Sequence, residues 1–141
     1  MKQELDEYLC KVFPKIFVNR GNALETIYYG FECGDGWFDI LNQLCQNIQH
    51  HINWKNEQFD KYGKGSEVQQ VVVEQVKEKF GSLRFYYQGG DEYIGGLVAM
   101  AESMSGVTCE VCGDKGESSS EGWIKVLCEA HRDERNRKNN L

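Results

Sequence analysis

Cys109, Cys112, Cys128 and His131 are the residues whose types and spacing point most directly to chemistry. Cys109-Glu-Val-Cys112 is followed by fifteen intervening residues and then by Cys128-Glu-Ala-His131. A thiolate pair spaced in this way grips one face of a metal ion, and a second short-spaced pair closes the tetrahedron from a distant part of the chain. The pattern predicts a Cys₃His zinc site with one Zn²⁺ per chain. Four protein donors leave no open position for water, so the expected role is structural. Closing such a site contributes on the order of 10 kcal/mol to the folding of a small module. A deaminase-type zinc site needs a nearby His-x-Glu. His50 is followed by His51 and Ile52, and His131 by Arg132 and Asp133, so that chemistry is not supplied.

No catalytic residues are predicted. Glu32, Asp35 and Asp39 cluster in sequence, but acids on a loop and a helix start serve as caps and surface. Gly34-Asp-Gly36 lacks the lysine and the spacing of a phosphate loop. Asp35, Trp37, Arg84, Tyr86 and Asp91 are the remaining candidates for ligand binding. They are polar or aromatic groups at element ends beside glycines, where sites are often built. An arginine such as Arg84 can pair with phosphate and a tyrosine such as Tyr86 can stack on a base. Capping and packing are the competing roles for all five.

The elements that must position these residues follow from periodicity. Leu5, Tyr8, Leu9, Val12 and Phe13 recur at helical steps, and Pro14 ends that helix near Phe13. Residues 17–31, with the apolar run Ile27-Tyr28-Tyr29, predict a loop and a short extended piece. Trp37, Ile40, Leu41, Leu44, Cys45, Ile48 and Ile52 form one stripe of a second helix, with Asp35 as its cap and His50 and His51 near its C-terminal end. The polar residues 53–67 predict a flexible segment. Residues 68–76 read as a strand, 77–81 as a turn, and 83–87 as a second strand with Leu83, Phe85 and Tyr87 on one face and Arg84 and Tyr86 on the other. The two make an antiparallel hairpin. Asp91 caps a third helix carrying Ile94, Leu97, Val98, Ala101 and Met104, which stops at Gly106. Gly95 and Gly96 inside it predict either a start at Leu97 or close packing on its backbone, by the hairpin in the favoured reading and by a ligand over the first turn in the alternative. The polar residues 114–122 form a loop, and Trp123-Ile-Lys-Val-Leu127 a strand leading to the second ligand pair. Knuckle, strand pair, then ligands from a helix start predict a treble-clef-like zinc module. The fold class is therefore α+β: a small antiparallel hairpin or sheet covered by amphipathic helices over residues 1–106, with the zinc module at 107–141 packed on it as one compact unit.

The 141 residues carry a net charge of -6, with 40% hydrophobic and 27% charged residues. That balance supports a buried core and argues against broad phosphate binding, which needs a basic face. Arg132, Arg135, Arg137 and Lys138 near the C-terminus are countered by Asp133 and Glu134. The absence of a leader-like apolar region and of a bilayer-length apolar run predicts a cytosolic protein. In that setting Cys10, Cys33 and Cys45 are reduced thiols.

Three stretches carry a resemblance in combination: Gly30-Phe-Glu-Cys-Gly-Asp-Gly-Trp37, Val76-Lys-Glu-Lys-Phe-Gly-Ser-Leu-Arg-Phe-Tyr-Tyr87 with Gly89-Gly-Asp91, and the metal pattern with Gly122-Trp-Ile124. From about residue 30 to residue 131 the chain resembles a group of small uncharacterised proteins encoded by bacteriophages and prophages. The resemblance carries no catalytic residues. It implies a protein made in bacterial cytoplasm that binds a host protein, a nucleic acid or a defence signal. The expected function is non-catalytic binding of a host factor. A sponge for a nucleotide signal and a zinc finger for nucleic acid are the alternatives.

Overall fold

The computed structural model describes residues 1–20, 30–119 and 122–141. The apolar run Ile27-Tyr28-Tyr29 lies outside the described residues. The elements are helix α1 (Gln3–Val12), strand β1 (Phe31–Glu32), a 3₁₀ turn (Asp35–Trp37), helix α2 (Phe38–Tyr62), strands β2 (Val72–Lys79) and β3 (Ser82–Gln88), helix α3 (Glu92–Ser105), strands β4 (Glu117–Ser118) and β5 (Val126–Leu127), and helix α4 (Glu129–Asn139). The architecture is α+β.

The β2–β3 hairpin is antiparallel, as the alternation of apolar residues requires. Leu83 and Phe85 are buried, whereas Arg84 and Tyr86 point to the other face. The sheet is larger than a hairpin. β1 adds in parallel to β2, pairing Phe31 with Val76 and Glu32 with Lys77. A two-residue strand has too little periodicity to be read from sequence. The strand expected at residues 68–76 begins later and runs to Lys79, because the pairing continues through Lys79↔Ser82 and leaves only Phe80 and Gly81 as the turn. Val68 and Val71 are buried without joining the ladder.

α3 closes the free edge of β3. The Leu83 N–H donates to Ser105 Oγ (2.9 Å) and the Phe85 N–H to Glu102 Oε2 (3.1 Å). Two strand-edge donors are thereby satisfied by helix side chains, which blunts an otherwise open sheet edge. Asp91 caps α3 by accepting the Ile94 N–H (3.1 Å). The glycines of α3 do not pack on the hairpin as expected: a Cβ on Gly96 would meet open space, and one on Gly95 would come no nearer than 3.9 Å to Tyr87 Oη.

α2 buries Trp37 at its start, then Leu41, Leu44, Cys45, Ile48 and Ile52. It does not end near His51. It continues to Tyr62 and stops at Gly63 in the left-handed region (φ 61°). The segment expected to be flexible, residues 53–67, is thus two-thirds helix. A Glu57–Lys61 pair (2.7 Å) supports this polar stretch across one turn. Asn56 then catches the returning chain, donating to the Val68 carbonyl (3.1 Å) and accepting the Val68 N–H (2.7 Å). Stabilisation through one amide side chain leaves no apolar periodicity to read. His51 consequently sits within the helix, bonded to Asp91 Oδ2 (2.8 Å) and stacked on Tyr93 (4.2 Å between ring centroids).

Of the α1 stripe, Leu9 and Phe13 reach the core, while Tyr8 and Val12 remain exposed. Asp6 is buried on this helix and paired with Arg20 (2.8 Å). Among the described residues no helix is long and apolar enough to cross a membrane.

Candidate metal centre

Residues 108–113 form a tight knuckle, closed by Gly113 N–H donating to the Cys109 carbonyl (2.9 Å). The β4–β5 hairpin follows, and Cys128 stands as the residue before α4. His131 lies in the first turn of that helix, on the same side as Cys128. Knuckle, hairpin and helix start thus converge as the spacing predicted.

The donor atoms of Cys109, Cys112, Cys128 and His131 all lie within 4.8 Å of one another. Cys112 Sγ and Cys128 Sγ are 3.8 Å apart, and His131 Nδ1 is 3.6 Å from Cys109 Sγ and 3.1 Å from Cys128 Sγ. A tetrahedral ion with zinc-like bonds separates two sulfurs by about 3.8 Å and a sulfur from a nitrogen by about 3.6 Å. The cluster therefore has the size and the donor set of a four-coordinate metal site.

The protein prepares this charge-dense cluster with its backbone. Burial alone would raise the Cys109 thiol, but N–H groups of Cys128, Cys112 and Val111 outweigh it and hold the thiol down at about 6. Cys112 accepts from the Asp114 N–H, which favours its thiolate, yet burial and the neighbouring Cys109 and Cys128 sulfurs push it up to about 11. One thiolate forms readily and opposes the next, a conflict that a bound cation removes. The other cysteines are different in kind. Burial raises Cys10 and Cys33 to about 12 and Cys45 further still, which suits inert packed thiols rather than nucleophiles.

The knuckle is clamped to the rest of the chain by the loop Cys33-Gly-Asp-Gly-Trp37. Gly36 N–H donates to the Glu110 carbonyl (2.8 Å), and Gly34 N–H to Glu110 Oε2 (3.0 Å). Trp37, fully buried, donates its indole N–H to the Thr108 carbonyl (2.9 Å). A Cβ on Gly36 would lie 2.6 Å from both the Glu110 carbonyl carbon and Gly113 N, and closer still to the Cys109 carbonyl oxygen. The glycines thus permit contact of two backbones.

Glu110, between the first two cysteines, is the hub of this joint. It is buried and also receives Lys125 Nζ (3.4 Å), which reaches Glu78 of β2 as well (3.6 Å). Glu110, Lys125 and Glu78 have no signature at sequence level, because their partners are distant in the chain.

The five ligand candidates are not brought into one site. Asp35 does not cap α2, whose N-cap is Trp37 without a side-chain bond. Its carboxylate instead accepts the Lys2 N–H (2.7 Å), fastening the start of α1. Trp37 is core. Asp91 is occupied by the α3 cap and His51. Arg84 and Tyr86 share the solvent face of β3, where Arg84 donates to Ser82 Oγ (2.6 Å) and lies across the ladder from Lys77.

Comparison of the chain with protein-family models, with curated proteins and with solved structures found no match.

Proposed function

We propose that the chain is a zinc-binding, non-catalytic binding protein that acts on a host factor in bacterial cytoplasm. The observation that carries the metal part is the four-donor cluster at tetrahedral spacing. Three thiolates and an imidazole favour Zn²⁺ over magnesium or calcium, which take oxygen donors. Four protein donors leave the ion closed, so zinc here serves to hold the knuckle, β4–β5 and α4 together and to seat them on Trp37. The non-catalytic part rests on the occupation of Asp35, Trp37 and Asp91 in capping and packing. The host setting rests on the resemblance to phage and prophage proteins.

Native mass spectrometry of protein purified from bacteria under reducing conditions, without chelator, is the test. One zinc per chain with a co-purifying host protein is the expected result. Chains without zinc would overturn the metal assignment. Repeated recovery of no partner would overturn the binding role.

A nucleotide-signal sponge is the second reading. It is supported by Arg84, Lys77 and Tyr86 sharing the exposed sheet face. A nucleotide-sized added mass, lost in Arg84→Ala, would move it to first place. Nucleic-acid binding through α4 has less support, since Arg132 and Lys138 are paired with Glu117 (3.5 Å) and Glu134 (3.0 Å).

A further inference from the structure

The β2–β3 turn has an unusual occupant. Phe80 and Gly81 form a two-residue loop with φ of 53° and 80°, positive at both positions. That is the type I′ geometry, which asparagine or aspartate followed by glycine adopts with least strain. A bulky aromatic in the left-handed region is an outlier and carries a conformational cost. Burial does not offset that cost here, because Phe80 is 72% exposed. Such an outlier warrants a hypothesis of function.

The turn does not stand alone. Gly81 lies against Ile124, so close that a Cβ on it would be 2.8 Å from Ile124 Cγ2. Trp123, the residue before Ile124, is also 72% exposed. The two aromatic-bearing segments are pinned side by side by Lys125, which bridges Glu78 and Glu110. Arg135 of α4 fixes the Trp123 backbone by donating to its carbonyl (2.5 Å) and also donates to Ser119 Oγ (3.4 Å). Among the described residues neither Arg135 nor Lys79 has a carboxylate partner within ion-pair distance. Lys79 Nζ hovers 5.8 Å from the centre of the Phe80 ring. From Trp123 a largely apolar groove of about 510 Å³ runs past Val111 and Leu127.

We propose that Phe80, Trp123, Ile124 and Arg135 form a docking surface for an acidic, amphipathic segment of a partner protein. Exposed Trp, Phe and Arg on a rigid support are the residue types that dominate binding energy at protein interfaces. Lys79 and Arg135, without a carboxylate partner among the described residues, select carboxylates beside the apolar anchors. A nucleic acid is the poorer fit. Of the other α4 cations, Arg132 and Lys138 are neutralised within the molecule, which leaves only Arg137 beside Arg135 to follow a phosphate backbone. The inference deepens the host-binding reading and rests on it.

The test pans a displayed random-peptide library on the zinc-loaded chain and measures the selected peptides by fluorescence anisotropy. Peptides combining Asp or Glu with Leu, Phe or Trp are expected. Phe80→Asn and Trp123→Ala should each weaken them by about tenfold or more. Arg135→Gln should weaken them and flatten the salt dependence. Phe80→Asn relieves the strained turn, so its melting temperature should rise or stay level, which separates lost binding from lost folding. Tyr62→Ser, at another exposed aromatic, should change nothing. Selection of no peptides, of peptides without acids, or of peptides indifferent to Phe80 and Trp123 would overturn the surface. So would oligothymidine binding that needs the same residues. A host partner retained by Phe80→Asn and Trp123→Ala would overturn this surface while leaving the host-binding reading intact.

Discussion

Gly36→Ala isolates the joint between the metal knuckle and the rest of the fold. Gly36 does not need positive φ, so the new methyl is excluded by contact and not by backbone conformation. Its obstacles are main-chain atoms of Cys109, Glu110 and Gly113, which cannot rotate away as a side-chain tip can. Overpacking of this kind costs about 1–3 kcal/mol, and the upper end applies where backbone must move. The Gly36 N–H to Glu110 carbonyl bond is lost or stretched in the process, at a net cost of about 1 kcal/mol. Restricting the unfolded chain returns roughly 0.4–1 kcal/mol. The net loss is about 3 kcal/mol, a large part of the roughly 5–15 kcal/mol that stabilises a domain. With an m-value of about 2 kcal/mol per molar, the urea midpoint should fall by about 1.5 M. Because docking and metal closure share the same knuckle, zinc affinity should fall as well, and chelator should lower the variant's midpoint less than the wild type's. Urea unfolding followed by tryptophan fluorescence, with and without chelator, reads both effects. Wild-type midpoint and wild-type zinc affinity in Gly36→Ala would refute the clamp.

Gly96→Ala is the same chemical change with the opposite expected sign. Its Cβ meets open space within α3, so the variant should gain up to about 1 kcal/mol, seen as a higher urea midpoint. Cys128→Ser removes one of the four metal donors, so zinc content by mass spectrometry should drop, and amide exchange should accelerate through knuckle and α4 before α2. Asp91→Ala should cost about 1 kcal/mol at neutral pH through loss of the α3 cap, more with the His51 bond. Partial burial would raise the Asp91 carboxyl, but the His51 bond and the Ile94 N–H outweigh it and hold the carboxyl below its ordinary value. A carboxyl lowered on folding adds stability that is complete above its unfolded pKa and fades as pH falls through the folded one. The gap in urea midpoint between wild type and Asp91→Ala should therefore shrink below about pH 4, and a gap that widens in acid would contradict the assignment.

The four-donor cluster was legible because coordination chemistry demands particular side chains at short spacing, and Cys109, Cys112, Cys128 and His131 met the demand with local sequence alone. The helix stripes and the Leu83/Phe85 alternation were legible for a similar reason, since burial imposes a period. β1 was not, because two residues have no period and its ladder partner lies some forty-five positions away, as Phe31↔Val76 records. The second half of α2 was not, because Asn56 and a Glu57–Lys61 pair support it in place of an apolar stripe.

The loop at Gly34-Asp-Gly36 shows what a glycine pair can serve when it holds no phosphate. Glycine spacing in a loop suggests either unusual backbone angles or a cradle for a ligand. Gly34 has an ordinary φ of -80°, and what approaches both glycines is the chain's own backbone at Glu110 and its neighbours. The ligand of this loop is the metal knuckle. The contact spans more than seventy residues of chain, so only the folded arrangement identifies it. A boundary drawn between residues 106 and 107 cuts across the Trp37–Thr108 bond and uncovers a fully buried indole. The C-terminal Cys₃His module is thus the cover of the α+β core as much as an appendage to it. The knuckle that carries Cys109 and Cys112 is the same one that covers Trp37, so closing the four-donor cluster and burying the indole act on one joint.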